Sequence, residues 1–225
     1  CALPIWTQNN YIREFRFDVS PWDLRWSNNS SCLSAGTTTF QITQAGYQPD
    51  AGSIQDIRWK DDGTRFWILS DNTNKIHQFN VTSPWRLETA YIPSDFRASA
   101  GSAVSSRSLA SGTYPYSFEW NKDGTRLFVG EYYNGYIYIY DTPKAWDITE
   151  LYDSQRASNF YVGNEEYYMR GMAFASDGKR LFLVGDNSRF YMQQYDLTNP
   201  YSFNRRGITQ TSPALAFSTD GTRLW

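Results

Sequence analysis

One short phrase occurs four times in this chain and constrains its fold more than any other feature. It is an aromatic residue, two variable residues, Asp-Gly, Thr or Lys, Arg and two apolar residues, and its copies begin at Trp59, Trp120, Phe174 and Phe217. Asp-Gly between apolar runs favours a tight hairpin turn, because Gly adopts a positive φ without steric cost. Each copy therefore predicts a strand, a turn and a second strand.

A second phrase follows each of the first three copies. It is a strand-like stretch ending in a corner that combines proline with Trp or Tyr, and its copies begin at Lys75, Tyr136 and Phe190. Proline has no amide hydrogen for a strand ladder, so it marks the corner between a third and a fourth strand. Four strands in a meander form one blade of a β-propeller, and repetition at tens of residues indicates copies of one unit.

The two ends of the chain are complementary. The fourth Asp-Gly phrase ends at Trp225 without a second phrase, whereas residues 11–24 carry the second phrase without the first. We predict an all-β fold over a single domain, residues 1–225: a β-propeller of four blades of four antiparallel strands, with one blade shared by the N- and C-terminal ends. The N-terminal strand would close the ring within one chain, or add to a neighbouring copy and link subunits head to tail.

Strand positions follow from the same phrases. In the clearest blade we expect strands over residues 54–60, 64–70, 75–81 and 86–92, and the four aromatic residues that open the Asp-Gly phrases should occupy equivalent buried sites. Three long segments, residues 31–52, 93–114 and 154–168, should connect successive blades. Within the second of them, the small and polar residues 98–112 predict a surface loop.

The combined pattern, Phe-x-x-Asp-Gly-Thr-Arg-Leu-Phe followed by Tyr-Asp-Leu-x-x-Pro-Trp-Asp, resembles a family of propeller-repeat proteins of bacteria and phages. The resemblance covers residues 11–26 and 53–225. It implies a propeller fold and, since such proteins are often secreted or surface-associated, an extracellular location or one on a cell or virion surface. It carries no catalytic motif onto numbered residues.

Composition argues against several functions. The net charge is −2 and no Lys/Arg cluster marks a nucleic-acid surface. No apolar run approaches the ~18 residues of a membrane helix. The single histidine, His77, is predicted to be a half-exposed strand residue, because one histidine cannot supply a metal site alone. The Asp residues of the turns lack the spacing of a calcium loop. We expect no metal and no cofactor.

Polar side chains on the first strands are the main candidates for a ligand site. These strands line the channel of a propeller, where a mixed ring could bind a polar ligand or form a salt-bridged plug; the residues are Asp56, Arg58, Glu119 and Arg170. A second candidate surface combines Glu165 and Glu166 with aromatic residues that could stack on a sugar or cover the blade edge: Tyr161, Tyr167 and Tyr168. The aromatic residues of the corners, Trp22, Trp85 and Trp146, are predicted to pack between blades.

The only two cysteines, Cys1 and Cys32, favour a disulfide in a chain of extracellular character. The alternative for Cys1 is the lipid-modified first residue of a bacterial lipoprotein. Three triplets fit the glycosylation acceptor pattern, at Asn28, Asn29 and Asn80.

Three functions remain open at this point. The absent catalytic constellation and the long polar connections favour a non-catalytic structural protein outside the cell or on its surface, and not an enzyme. Such a protein could be the subunit of a self-assembling fibre, in which each chain binds further copies of itself. Exposed Tyr and Trp suggest instead a module that binds surface glycans. The third function is a propeller enzyme of the lactonase or lyase type, which a single histidine makes the least favoured.

Overall fold

The computed structural model describes residues 2–7, 11–16, 37–41, 54–70, 74–91, 106–109, 114–151, 156–163, 167–186, 192–203 and 208–211. The chain forms two compact units, residues 1–108 and residues 109–225. The single domain expected over residues 1–225 stays a prediction.

The second unit contains two sheets of four antiparallel strands, in each of which every strand pairs with the next along the chain. The first sheet comprises β9 (Pro115–Trp120), β10 (Arg126–Glu131), β11 (Tyr136–Asp141) and β12 (Arg156–Tyr161). The second comprises β13 (Met169–Phe174), β14 (Arg180–Gly185), β15 (Met192–Leu197) and β16 (Ile208–Thr211). This meander is the blade unit of a β-propeller, and the predicted all-β propeller fold is confirmed.

An apolar core lies between these two sheets. Phe128 and Ile137 of the first sheet pack with Met172, Leu181 and Leu183 of the second, and all of them are buried. The amide of Met172 donates to Ser117 Oγ at 3.0 Å, which joins the two first strands. Five consecutive residues of β10 are buried, so both of its faces are covered and the alternation expected of a half-exposed strand is lost.

The first unit contains one further blade-like sheet and a sheet of three strands. The strands of the former are β4 (Ile54–Trp59), β5 (Arg65–Ser70), β6 (Lys75–Val81), β7 (Ala90–Tyr91) and β8 (Ser106–Ser108). The other sheet has β1 (Ala2–Thr7), β2 (Tyr11–Arg16) and β3 (Thr37–Gln41) in sequential order.

In the described ranges, three Asp-Gly turns are each covered by the aromatic residue of the following corner. The turn glycines, Gly63, Gly124 and Gly178, have φ values of 69°, 71° and 68°. The amide of Trp146 donates to Gly124 O at 2.8 Å, and a Cβ on Gly124 would lie 2.3 Å from the Trp146 ring. Trp85 and Tyr201 cover the other two turns in the same way. Trp85 and Trp146 therefore pack on the turn of their own sheet, whereas the sequence predicted packing between blades. Tyr201 does both, because its ring also lies 6.3 Å from that of Phe128 in the neighbouring sheet.

Asp side chains complete these turns. Asp123 Oδ1 accepts hydrogen bonds from the amide of Thr125 at 3.1 Å and from its hydroxyl at 2.6 Å. Asp62 makes the same two contacts with Thr64. Asp177 accepts a hydrogen bond from the Lys179 amide at 2.9 Å, so these three described aspartates are turn residues, as predicted.

The predicted strands of the clearest blade match β4, β5 and β6, but the fourth strand does not. Residues 87–89 form a turn of 3-10 helix, and β7 has only two residues. β6 pairs with β7 through Asn80 and Val81, and with β8 through residues 75–77. A strand therefore forms inside residues 98–112, predicted as a loop, because backbone pairing with β6 outweighs a polar sequence of low strand propensity.

Two other expectations need correction. Residues 154–168 were expected to connect blades, yet β12 is the fourth strand of its sheet and pairs with β11. The N-terminal sheet contains β1, an unforeseen strand that pairs with β2 along its whole length. The shared blade stays a prediction, because residues 212–225, Trp22 and Phe217 lie outside the described residues. Trp59, Trp120 and Phe174 do occupy equivalent register positions, but only Trp120 is buried.

Candidate functional site

The candidate site lies at the end of the second unit's sheets that is opposite the Asp-Gly turns. There each first strand begins and each second strand ends. The residue after the second strand donates its amide to the residue before the first strand, Tyr132 to Tyr114 O and Asp186 to Tyr168 O, both at 2.9 Å. The equivalent backbone contacts place tyrosines from both sheets at one edge of the unit.

Arg170, the second residue of β13, is the centre of the site. Its guanidinium carbon lies 4.8 Å from the centroid of the Tyr116 ring and 4.4 Å from that of Tyr132, distances typical of cation–π contacts. Nε donates to Asp186 Oδ2 at 2.7 Å, and Nη2 donates to Tyr132 Oη at 3.1 Å. Tyr132 Oη in turn donates to Asp186 Oδ2 at 3.1 Å. The planar cation is therefore held in one orientation while 42% of its side chain stays exposed.

A row of exposed tyrosines borders Arg170. Tyr114 and Tyr133 meet edge to face with centroids 4.8 Å apart, and Tyr167 and Tyr168 do so at 5.0 Å. Tyr168 joins the two pairs, because its ring lies 5.2 Å from Tyr132 and 6.3 Å from Tyr133. We call the four exposed residues the tyrosine row, and the row together with Tyr116, Tyr132, Arg170 and Asp186 the Arg170 site. Rings with a polar hydroxyl suit a ligand that is apolar on one face and hydroxylated at its edge.

The site rests on a buried carboxylate. Glu131, the last residue of β10, is 0% exposed. Its Oε1 accepts hydrogen bonds from the Tyr114 amide at 3.2 Å and the Asn134 side chain at 3.1 Å, and its Oε2 accepts from the Asn134 amide at 3.0 Å. Through these hydrogen bonds, Glu131 connects the residue before β9 with the turn that contains Tyr132 and Tyr133.

The contacts in the site set the protonation of its groups. The hydrogen bond from Arg170 holds the pKa of Asp186 below its ordinary value, so this carboxylate is ionised at neutral pH. Desolvation and the hydrogen bond to Asp186 raise the pKa of Tyr132. Desolvation also raises the pKa of Glu131, against the lowering effect of its hydrogen bonds. The site thus contains a cation, an anion and a neutral phenol in direct contact.

The structure divides the residues that the sequence put forward. Of the expected channel cluster, Arg170 lies in the site, Asp56 and Arg58 pair with each other on β4 at 2.5 Å, and Glu119 accepts the Trp120 amide nearer the other end of β9. Of the three aromatic candidates, Tyr167 and Tyr168 belong to the tyrosine row. Tyr161 lies apart from them and packs against Tyr136, with ring centroids 5.0 Å apart.

Other candidates lie elsewhere. Asn80 is part of β6, and its Oδ1 accepts a hydrogen bond from Arg65 Nε at 2.7 Å, so this triplet stands in a strand instead of a surface loop. His77 is 3% exposed, and hence buried in β6 where half exposure was expected. Cys1, Cys32, Asn28, Asn29, Glu165 and Glu166 lie outside the described residues, and the disulfide stays a prediction.

Two features that would define the class of site are absent from the described residues. Among them, no group of three or more His, Cys, Asp or Glu side chains is placed to hold a metal ion. In the same ranges, no helix has the length and apolar character needed to cross a membrane.

Sequence reasoning missed most of the Arg170 site. Tyr114, Tyr116, Tyr132, Tyr133 and Asp186 carry no motif of their own. A partial signal was nevertheless present: Asp-Asn follows the second strand in two repeats, at residues 71–72 and 186–187, whereas Tyr132 and Tyr133 stand at that place in the repeat between them. A local loss of repetition beside clustered tyrosines could have identified this end of the sheets.

Comparison with known proteins supports the fold. Two solved structures match nearly the whole chain: a putative 6-phosphogluconolactonase from Bacteroides fragilis, with 13% identity and a TM-score of 0.52, and another from Bacteroides uniformis, with 12% identity and a TM-score of 0.54. The matches cover 97% and 98% of this chain, but only 60% and 59% of the respective neighbours. No protein-family model and no curated protein matches the chain.

These neighbours correct the functional expectation. The prediction of a non-catalytic structural protein, and with it the prediction that the chain is not an enzyme, is wrong, because structures of the same fold are named as enzymes. The expectation depended on the single histidine. Arginine, carboxylate and phenol groups can nevertheless combine into a polar constellation without histidine, as they do around Arg170. At 12% to 13% identity the likeness itself shows the propeller fold.

Proposed function

We propose that this chain carries the substrate site of a propeller enzyme that hydrolyses the lactone ring of a sugar derivative, and that the substrate binds at the Arg170 site. The observation that carries the proposal is the fixed guanidinium of Arg170, stacked on Tyr116 and Tyr132 beside the exposed tyrosine row. The names of the two neighbours support this reaction class. Because the chain spans about 60% of their length, the activity and the substrate are both proposals.

The reaction requires a site for the sugar ring and a donor for the carbonyl oxygen. Tyrosine rings of the row offer apolar faces to the ring carbons of the substrate. Nε and Nη2 of Arg170 already donate to Asp186 and Tyr132, so Nη1 is the nitrogen that can donate to the lactone carbonyl. A preorganised donor at the oxygen where negative charge develops lowers the barrier to attack on the carbonyl carbon.

Asp186 supplies the complementary role. Its carboxylate is ionised, and its contacts with Arg170 and Tyr132 use Oδ2. Oδ1 can then orient a water molecule and accept its proton as the water oxygen bonds to the carbonyl carbon. Collapse of the tetrahedral adduct breaks the ring C–O bond, and the proton passes to the departing oxygen. The product is the open hydroxy acid.

The expected partners and location fit this function without being required by it. The glycan predicted as a partner enters here as the source of the substrate. Association with a second copy of the chain and an extracellular or surface location remain proposals. Sedimentation velocity of the full chain tests the first, and a single species at monomer mass over a wide concentration range would contradict it.

Hydrolysis of glucono-1,5-lactone tests the activity, with the acid product followed by pH-stat above the spontaneous rate. Replacing Arg170 by alanine should lower kcat/KM by roughly 100-fold, the effect of removing one oxyanion donor. Asp186→Asn should lower kcat more than it raises KM. Tyr161→Phe is the matched control, because it alters an exposed tyrosine outside the Arg170 site, and it should act as the wild type. A wild-type rate equal to the spontaneous rate, or full activity of the Arg170 variant, contradicts the proposal.

A further inference from the structure

The charge of Arg170 is already compensated inside the site. Nε lies 2.7 Å and Nη2 2.5 Å from Asp186 Oδ2, so the cation and its partner form a neutral pair. Asp186 also binds the Tyr132 hydroxyl, which fixes the carboxylate in place. A ligand that needs positive charge would have to compete with this anion for the guanidinium.

Within the described part of the second unit, Arg170 is the one cation in contact with Asp186. Among the described residues at this end of the two sheets, Arg170 is the only Lys or Arg, whereas Asp186 and the buried Glu131 are both acids. The surroundings of the site are therefore neutral to negative.

The groups that remain suit an uncharged, hydroxylated molecule. Arg170 Nη1 can donate, and Asp186 Oδ1 can accept from a hydroxyl, because neither atom takes part in the contacts between Arg170, Asp186 and Tyr132. Adjacent hydroxyls of a sugar can accept from Arg170 and donate to Asp186 at the same time, whereas a phosphate dianion at neutral pH can only accept hydrogen bonds. A phosphate dianion would also meet the Asp186 carboxylate as a like charge.

We infer that the Arg170 site takes an uncharged sugar or sugar lactone and discriminates against its phosphorylated form. The inference rests on the proposed function and names its substrate class. The substrate would then differ from the phosphorylated one contained in the names of the two structural neighbours. The same charge pattern would favour release of the product, because ring opening creates a carboxylate next to Asp186.

Glucose and glucose 6-phosphate are the probes, since they share one ring and differ in charge. Binding to the full chain is measured by isothermal titration calorimetry and by chemical shifts of the tyrosine rings. Wild type should bind glucose about tenfold or more tightly than glucose 6-phosphate, a preference that narrows as added salt screens the repulsion. Asp186→Asn should narrow or reverse this preference, because it leaves the charge of Arg170 uncompensated.

Asp141→Asn is the matched control. It removes the same charge from another Arg–Asp pair, in which Arg126 Nε lies 2.8 Å from Asp141 Oδ1 at the opposite end of β10 and β11. The control should keep the wild-type preference. If it shifts the preference as much as Asp186→Asn does, the effect belongs to net charge and the inference fails.

The two proposals fail separately. Equal or tighter binding of glucose 6-phosphate by the wild type, or binding of neither probe, overturns the inference. Faster hydrolysis of the phosphorylated lactone than of glucono-1,5-lactone overturns the inference but supports a lactonase. A preference for glucose without hydrolysis of either lactone supports the uncharged ligand and overturns the proposed reaction.

Discussion

The two ends of the sheets in the second unit are built differently. At one end the same contacts recur, with Trp146 covering Gly124 and Tyr201 covering Gly178. At the other end equivalent backbone positions carry unlike side chains, Tyr132 in one sheet and Asp186 in the other. The recurring end sets the hairpin geometry, and the variable end places a phenol and a carboxylate around one arginine. Repetition thus marks the framework of this unit, and its interruption marks the candidate chemistry.

The largest effect should follow from breaking the recurring end. Gly124→Ala places a Cβ 2.3 Å from the Trp146 ring at a φ of 71°, and we expect a loss of about 3 kcal/mol in the free energy of unfolding from strain and displacement of the ring. Urea denaturation measures it. In a Trp146→Ala background the same substitution should cost less, because the ring is absent. If Gly124→Ala lowers the free energy of unfolding equally in the two backgrounds, the cost does not arise from contact with the Trp146 ring.

Glu131→Gln should disrupt the hydrogen bonds that support the variable end of the sheets. The buried carboxylate accepts three hydrogen bonds from Tyr114 and Asn134. In the glutamine variant, the side-chain NH2 group would replace one accepting oxygen and would face an N–H group of Tyr114 or Asn134. We expect a loss of about 2 kcal/mol, the cost of unsatisfied buried groups. Hydrogen exchange at the Tyr114 and Asn134 amides should accelerate. Glu150→Gln, on the exposed surface, is the control, and unchanged exchange in Glu131→Gln would refute the role of the carboxylate.

Acid should affect the two ends in opposite directions. Hydrogen bonds from Thr125 hold the pKa of Asp123 below its ordinary value, so its stabilisation is present above the unfolded pKa and is lost as pH falls through the folded pKa. Burial raises the pKa of Glu131, so the folded state binds that proton more tightly and the penalty of burying its charge is relieved as pH falls.

Unfolding measured from pH 7 to pH 3 checks these signs. The advantage of wild type over Asp123→Asn should shrink on acidification, whereas wild type should gain relative to Glu131→Gln. If the difference in free energy of unfolding between wild type and each variant stays constant from pH 7 to pH 3, the two carboxylates do not titrate as their contacts predict. Both changes should be smaller than the loss caused by Glu131→Gln at neutral pH.

The smallest effect concerns the Arg126–Asp141 pair. Both side chains are exposed, at 38% and 56%, and exposed pairs contribute little. We expect Asp141→Asn to change the free energy of unfolding by less than about 0.5 kcal/mol. Asp186→Asn should cost more, because Arg170 also stacks on two rings that orient it towards Asp186. Equal costs in parallel denaturation curves would show that the stacking adds nothing.

Sequence reasoning succeeded where one residue type has one physical use. The Asp-Gly pair at Gly63 predicted the turn between β4 and β5, because a turn with positive φ favours glycine, and the proline corner marked the end of β6. It failed at β8, whose polar residues gave no strand signal and whose pairing with β6 is a long-range contact. It also failed at the Arg170 site. Arg170 stacks on tyrosines from a different sheet, and the local sequence pattern does not predict contacts between residues of different sheets.

The aromatic cover on each turn has a consequence for the way the chain folds. Trp85, Trp146 and Tyr201 each contact a glycine of the same sheet, so this packing closes through short loops of chain. Local contacts form quickly, and a protein made of such units can nucleate in any one of them. We therefore expect the three covered hairpins to be the early-protected regions in pulse-labelled hydrogen exchange. The amides of the Arg170 site, which needs two sheets, should acquire protection later.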